Sequence, residues 1–349
     1  MKLTFRYYGP QDSIPLSYVR QIPGLSGVVT SVYDVKAGEL WPRESLSSLR
    51  KLCQENGLSM EVIESIPVPE DIKLGKPTRD HYIDVYAENL RRCAEVGVRC
   101  VCYNFMPVFD WIRTDLTHQN PDGSHSLSYE AGELKKMNPK HLHLPGWDES
   151  YRADELEGLL SEYQGMSHEK LRENLVYFLN RLSPTLDETG IDMAIHPDDP
   201  PWDVFGLPRI ISSEEDLDAL FHAVPSPHNG LTLCVGSLGE NPHNDVVHMA
   251  AKYAEEKRVF FAHLRNVKWE KGDGSFVESG HQSAMGSLDM GAIVQALVDH
   301  GFDGYVRPDH GRNIWGEAGK PGYGLYDRAL GCAYISGLFE MAEKHKSNK

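Results

Sequence analysis

Long apolar runs are missing from this chain. No stretch approaches the roughly 18 residues that a bilayer-spanning helix needs, which excludes a helical membrane anchor. The opening Met1-Lys2-Leu3-Thr4-Phe5-Arg6 has no apolar h-region and no cleavage pattern, so a cytoplasmic protein is expected rather than a secreted precursor. Positive charge is also scarce. Lys and Arg total 35 against 51 Asp and Glu, and a formal net charge of -16 argues against nucleic acid or anionic membrane as a partner. The expected partner is a small molecule, and an anionic one would need a metal or placed arginines to enter against that field. Cysteine is sparse. Cys53, Cys93, Cys100, Cys102, Cys234 and Cys332 are spread through helix and strand patterns, so reduced thiols are expected and not a disulfide framework. Cys100 and Cys102 alternate along a strand and read as small buried hydrophobes. No H-E-x-x-H occurs, and no G-x-G-x-x-G turn follows an early strand.

What the chain does have is a rhythm of strand-like and helix-like segments, a few tens of residues apart. Residues 3–8 read as a strand, 16–21 as a short helix and 27–33 as the second strand. Pro42 starts a helix through Leu46, Leu49 and Leu52 that stops at Gly57, proline at its start and glycine at its end. Residues 58–66 are strand three. Thr78 is expected to cap a helix carrying Ile83, Tyr86, Leu90 and Ala94, and 98–105 is strand four. Later, Ser167 or His168 opens a helix that leads to strand five at 191–196. Ser212 or Ser213 caps a helix at 214–224, strand six is 230–235, a helix spans 242–257 and strand seven is Val259–His263. A glycine-rich insertion at 271–285 precedes a helix at 290–300, strand eight at 305–309 and a closing helix at 325–345. Eight such βα units predict a (β/α)8 TIM barrel in one domain spanning 1–349. A doubly wound open sheet is the alternative, weakened by the missing glycine fingerprint.

One interruption breaks the rhythm. Residues 107–167 hold Trp111, Pro121-Asp122-Gly123, Pro139, Pro145-Gly146-Trp147 and an amphipathic helix near 156–163. The segment is too long and too rich in turn residues for a plain connection, and reads as a lid or oligomer contact. Within it, His141-Leu142-His143 alternates like a metal-binding pair, but no third ligand lies nearby.

Four of the predicted strands end on chemistry. His196, Cys234, His263 and Asp309 each close a short apolar run, and strand ends of this kind converge on one face of a parallel barrel. A lone His or Cys at a strand end is more often packed or solvent-facing than ligating. Four at successive ends would make a site for a divalent transition metal. Thiolate favours zinc or iron, carboxylate also suits manganese, and magnesium fits worst. Manganese(II) and iron(II) expand beyond four ligands and so leave room for substrate oxygens, whereas a closed tetrahedral zinc would be structural. Around Asp309, the hexapeptide Arg307-Pro308-Asp309-His310-Gly311-Arg312 gathers a carboxylate, an imidazole and two guanidiniums, a density that packing seldom requires.

That hexapeptide continues through Ile314-Trp315-Gly316 and Lys320-Pro321-Gly322-Tyr323-Gly324-Leu325-Tyr326-Asp327-Arg328-Ala329-Leu330-Gly331. The whole stretch resembles the C-terminal signature of the bacterial mannonate dehydratases. Tyr8-Gly9-Pro10, Gly38-Glu39-Leu40-Trp41-Pro42 and His263-Leu264-Arg265-Asn266 are similar to that family too, and the resemblance runs over essentially the whole chain. It implies a metal-dependent TIM barrel related to the sugar isomerases. The implied activity turns D-mannonate into 2-keto-3-deoxy-D-gluconate and water in hexuronate breakdown. The implied cofactor is Mn2+ or Fe2+, held by His196, Cys234, His263 and Asp309. By the same resemblance, His310 and Tyr323 form the proton-transfer pair for removing the C2 hydrogen and protonating the departing C3 hydroxyl, with base and acid unassigned. Arg265, Arg307 and Arg312 are candidates for the substrate carboxylate and hydroxyls. Structural alternatives stand beside each role: His310 as a partner of Asp309, Tyr323 as a loop anchor, and the arginines as salt-bridge partners. A homo-oligomer is expected.

Rival functions are a metal-dependent sugar isomerase or epimerase on the same barrel, and a non-catalytic metal or sugar-acid binding protein. Isomerases tend to use carboxylate-rich sites, often with two metals, whereas this set is rich in His and Cys. A periplasmic binder would carry a secretion signal. A DNA-repair nuclease on a similar barrel is disfavoured by the acidic charge.

Overall fold

Runs such as Gly27-Val28-Val29-Thr30 and Cys100-Val101-Cys102-Tyr103 are too short for helices and are buried at every position, which suits parallel strands covered on both faces. The computed structural model describes residues 1–139 and 153–347, so His141 and His143 lie outside the described residues. In chain order its strands are β1 (Lys2–Arg6), β2 (Gly27–Thr30), β3 (Ser59–Glu64), β4 (Cys100–Tyr103), β5 (Asp115–Gln119), β6 (His125–Tyr129), β7 (Asp192–Ile195), β8 (Asn229–Cys234), β9 (Val259–His263), β10 (Val267–Trp269), β11 (Phe276–Glu278) and β12 (Tyr305–Arg307). Eight of them close a barrel in the order β1-β12-β9-β8-β7-β4-β3-β2, every pair parallel. The barrel expectation is borne out.

Alternation along these strands sorts the side chains. Val29, Val62, Cys100, Cys102, Ala194, Phe261 and Tyr305 form one cluster inside the barrel. Their neighbours Val28, Ile63, Val101, Met193, Ala262 and Val306 join the larger core beneath the surrounding helices. All six cysteines are free and buried. Among the described residues, no helix is long and apolar enough to cross a membrane.

The helices follow their caps, and several differ from expectation for that reason. Ser167 and Ser213 accept hydrogen bonds from the backbone N–H of Lys170 and Asp216, opening His168–Thr189 and Glu214–Ala223. Gly190, at φ 65, closes the former. Thr78 does not cap: its backbone is already helical, and its hydroxyl donates to Asp71 instead. The helix expected from Pro242 begins at Val246, because Asp245 caps it by accepting from His248 N–H. Strand eight stops at Arg307, two residues short of Asp309, which sits at φ 62. That left-handed backbone is uncommon for a residue with a side chain, and it turns Asp309 out of the ladder.

Outside the barrel lies a second, antiparallel sheet ordered β10-β11-β6-β5. The β5–β6 hairpin comes from the interruption after β4, while β10 and β11 come from the stretch after β9. The expected glycine-rich loop at 271–285 therefore contains a strand. Phe276 pairs with Tyr129 across the two excursions, their rings stacked at 5.5 Å, and Trp202 donates its indole N–H to the Tyr129 hydroxyl at 3.0 Å. A satellite core of Val108, Phe109, Ile112, Leu156, Tyr163, Val204 and Leu207 supports the described residues on either side of 140–152.

Candidate active site

Strand register brings the ligand-type residues together. Cys234 and His263 end β8 and β9 as register partners, His263 is opposite Arg307 on β12, and His196 directly follows β7. One ligand atom from each of His196, Cys234 and His263 lies within 4.8 Å of the others. Asp309 joins them, its Oδ2 3.6 Å from Cys234 Sγ and its Oδ1 3.9 Å from His263 Nδ1. Metal–ligand bonds of about 2.0–2.3 Å put neighbouring ligand atoms about 3.5 Å apart, near the 3.6 and 3.9 Å found to Asp309. His196 Nδ1 donates to the Pro197 carbonyl at 2.7 Å, which leaves Nε2 as the lone-pair nitrogen. Gly236 is needed beside Cys234, since a Cβ there would sit 2.9 Å from the Arg265 guanidinium carbon.

A second grouping, Glu64 with Cys102 and His263, also has ligand spacing. Two guanidiniums already serve it: Arg307 Nη2 donates to Glu64 Oε1 at 2.8 Å and Arg6 Nη1 lies 3.3 Å from Oε2. Burial opposes ionisation of Glu64, yet Arg307, His263 and Arg6 hold its carboxyl well below the usual range. The His196–Cys234–His263 group, with Asp309 beside it, is the set that ends successive strands and is the candidate metal position.

Beside it stands a hydrogen-bonded chain. His310 Nε2 lies 2.8 Å from the Tyr323 hydroxyl, and His310 Nδ1 lies 2.9 Å from each oxygen of Glu278. Trp111 packs on the His310 ring at 5.5 Å and Tyr8 edges onto Tyr323 at 5.1 Å. Burial, and then the charge of Asp309, raise the Tyr323 hydroxyl to about 12. For Asp309, burial is outweighed by Arg307, His310, His263 and Arg265, and the carboxyl stays well below its ordinary value.

The three arginines singled out in the sequence have different surroundings. Arg307 lines the cleft with His196, Asp309, His310 and Tyr323; its Nη1 is 2.8 Å from Asp309 Oδ1 and its Nε donates to His263 Nε2 at 2.9 Å. Arg265 is enclosed: it donates to Glu278 at 2.6 Å and to Asp199 and Ser237 at 2.9 Å, with Asp309 at 3.2 Å. Arg312 lies to one side, paired with Asp327 and Asp122 at 2.9 Å each.

Sequence reasoning passed over the support behind this cleft. Arg113, from the interruption, bonds Asp199 at 2.5 Å, Glu278 at 2.8 Å and Glu240 at 3.0 Å. Two guanidiniums thus face three buried carboxylates. Burial opposes every charge, but His310, Arg265 and Arg113 lower Glu278 to about 2, and Arg113 and Arg265 hold Asp199 lower still. Burial and the neighbouring Asp199 push the Glu240 carboxyl well up, against the pull of Arg113 and Arg265. Glu64, at the end of β3, carried the same strand-end signal as the ligands. Glu278 carried none.

Comparison with known proteins gives a consistent result. A family model described as D-mannonate dehydratase (UxuA) matches residues 1–349. A Halalkalibacterium halodurans protein named mannonate dehydratase 2 is 51% identical over 342 residues, covering 97% of this chain and 99% of the relative. The crystal structure of mannonate dehydratase from Streptococcus suis serotype 2 superposes with a TM-score of 0.92 at 46% identity, covering 99% of this chain and 95% of that one. A xylose isomerase domain protein from Planctomyces limnophilus covers 99% of each chain at a TM-score of 0.55 and 12% identity, a likeness of fold alone.

Proposed function

This chain belongs to the D-mannonate dehydratase (UxuA) family, and from that premise we propose that it converts D-mannonate to 2-keto-3-deoxy-D-gluconate and water, a step in hexuronate breakdown. One observation carries the reading: two imidazoles, a thiol and a carboxylate cluster together, and two of them, His196 and Asp309, line the same cleft as the hydrogen-bonded His310–Tyr323 pair.

The chemistry is β-elimination from an aldonate, and its difficulty is the weakly acidic C2 hydrogen. His196, Cys234, His263 and Asp309 would hold the divalent ion, and the mixed N, S and O donors favour Mn2+ or Fe2+ over magnesium. A bound ion would supply Lewis-acid polarisation of the substrate's carboxylate end. Arg307, the one of the three arginines on the cleft wall, is assigned to the substrate's negative charge; Arg265 and Arg312, which do not line the cleft, are assigned to holding the site through their acidic neighbours. His310 Nε2 and Tyr323 Oη are the atoms that exchange protons with the substrate, one taking the C2 proton and the other protonating the leaving C3 hydroxyl. Their contact lets the proton return between turnovers. Trp111 and the interruption around it wall the cleft and limit water.

The wider reading is one barrel domain over 1–349, cytoplasmic, with six free thiols in keeping with a reducing compartment. Exposed Trp315, 5.7 Å from Tyr326, supports assembly into a homo-oligomer. The deciding experiment is turnover by manganese-reconstituted protein, with D-mannonate and free hexoses as parallel substrates and products identified by mass. Dehydration of mannonate alone is expected. Isomerised hexose with untouched mannonate would overturn the proposal.

A further inference from the structure

We infer that Glu278 is the positioning residue of the proton-transfer pair, holding the His310 ring with its proton on Nδ1 so that Nε2 presents a lone pair to Tyr323 and the cleft. The inference rests on the proton-transfer role proposed above for His310 and adds a residue to it from outside the barrel.

The geometry fixes the Nδ1 side of the ring. Glu278 is buried, and both of its oxygens lie 2.9 Å from Nδ1. An ionised carboxylate only accepts hydrogen bonds, so Nδ1 must be the donor. On the far side, Nε2 meets a hydroxyl at 2.8 Å that can donate to it. Glu278 cannot turn away, because Arg265 grips Oε1 at 2.6 Å and Arg113 at 2.8 Å. Trp111 closes one side of the imidazole. A buried carboxylate behind a histidine that selects its tautomer and steadies the imidazolium formed on proton uptake is a recurring solution in acid–base catalysis. Here it is delivered by β11, whose partner β6 comes from the interruption after β4. The accessory sheet therefore orients one member of the proton-transfer pair.

The test uses the full, metal-loaded chain and the variants E278Q, H310N and their combination. Glutamine keeps the shape but can offer an N–H to Nδ1, which would move the ring proton to Nε2. For E278Q, kcat should fall on the order of 100-fold or more, while KM for D-mannonate and metal content stay within about two-fold of the parent. Adding E278Q to H310N should cost less than about three-fold further, because the residue through which it acts is already gone. A residue that only supported the fold would impose the same loss in both backgrounds, and that result would overturn the inference. So would an E278Q enzyme within three-fold of the parent when H310N is impaired. If H310N itself turned over normally, the proton-transfer reading would fail, and this inference with it. Should E278Q fail to fold, 15N spectra of the imidazoles in the zinc-substituted parent decide: a proton on Nδ1 of His310 is expected, and a ring protonated on Nε2 alone would overturn the proposal.

Discussion

On the barrel side of the cleft, Cys234 and His263 take their places from parallel-strand register, with His196 and Asp309 one and two residues past neighbouring strands. On the other side, His310 takes its orientation from Glu278, and Glu278 from Arg113, 165 residues away in sequence and part of a different excursion. On the first side backbone ladders place Cys234 and His263, while a positive-φ turn and the guanidiniums of Arg307 and Arg265 place Asp309. The second is positioned by charge, so each member depends on the rest: Arg113 and Arg265 together tie Asp199, Glu240 and Glu278 in place. The contrast teaches a division of labour. Register sets where the ion is held, and buried electrostatics sets where the protons sit.

If the division is right, damage to one side should leave the other side's property intact. The largest effect belongs to the ligand side. Chelation should abolish turnover, and manganese should restore it better than magnesium; metal-free protein with full activity, verified by elemental analysis, would end the argument. Cys234→Ser should lose metal and activity together, since a hydroxyl is a far poorer ligand than a thiolate. Unchanged metal content would remove Cys234 from the ligand set.

Next come His310→Asn and Tyr323→Phe, each expected to lower kcat on the order of 100- to 10,000-fold at normal metal content. Run in deuterated solvent, the two should differ. The variant lacking the base cannot exchange the C2 hydrogen, while the one lacking the acid still exchanges it without expelling water, provided ionisation is reversible. Equal exchange in both would mean the roles are not divided between them.

A stability effect follows. Arg113→Met leaves Asp199, Glu240 and Glu278 facing Arg265 alone, and breaking a buried pair this way costs about 3–5 kcal/mol. Denaturant unfolding should register it, and a loss below about 1 kcal/mol would show that the carboxylates shed their charge by taking up protons. The smallest effect is remote from the cleft. Ser213→Ala removes the cap of Glu214–Ala223 and should cost about 1 kcal/mol with turnover unchanged.

The two sides also differed in how far the chain alone revealed them. A short apolar run ending in His196, Cys234 or His263 is a local pattern, and the barrel converts it into convergence. Asp309 was legible for the same reason, although its run stops at Arg307 and a positive-φ turn does the final placement. Glu278 was not. Its strand is three residues long, follows Lys271-Gly272-Asp273-Gly274-Ser275, and is defined by pairing with β6 far upstream, which no local periodicity encodes. Arg265 and Arg312 were visible as charges, but which acids engage them depends on folded neighbours such as Asp199 and Asp327. Thr78 shows the same limit on a small scale, its hydroxyl drawn to Asp71 rather than to its own helix.

The central claim, that the ion and the protons are held by separable structures, is tested most directly by measuring metal content and D-mannonate turnover side by side in the parent, Cys234→Ser and His310→Asn. The account predicts that Cys234→Ser loses both and that His310→Asn keeps its full complement of metal while losing nearly all turnover. Metal lost from His310→Asn in proportion to its activity would contradict it.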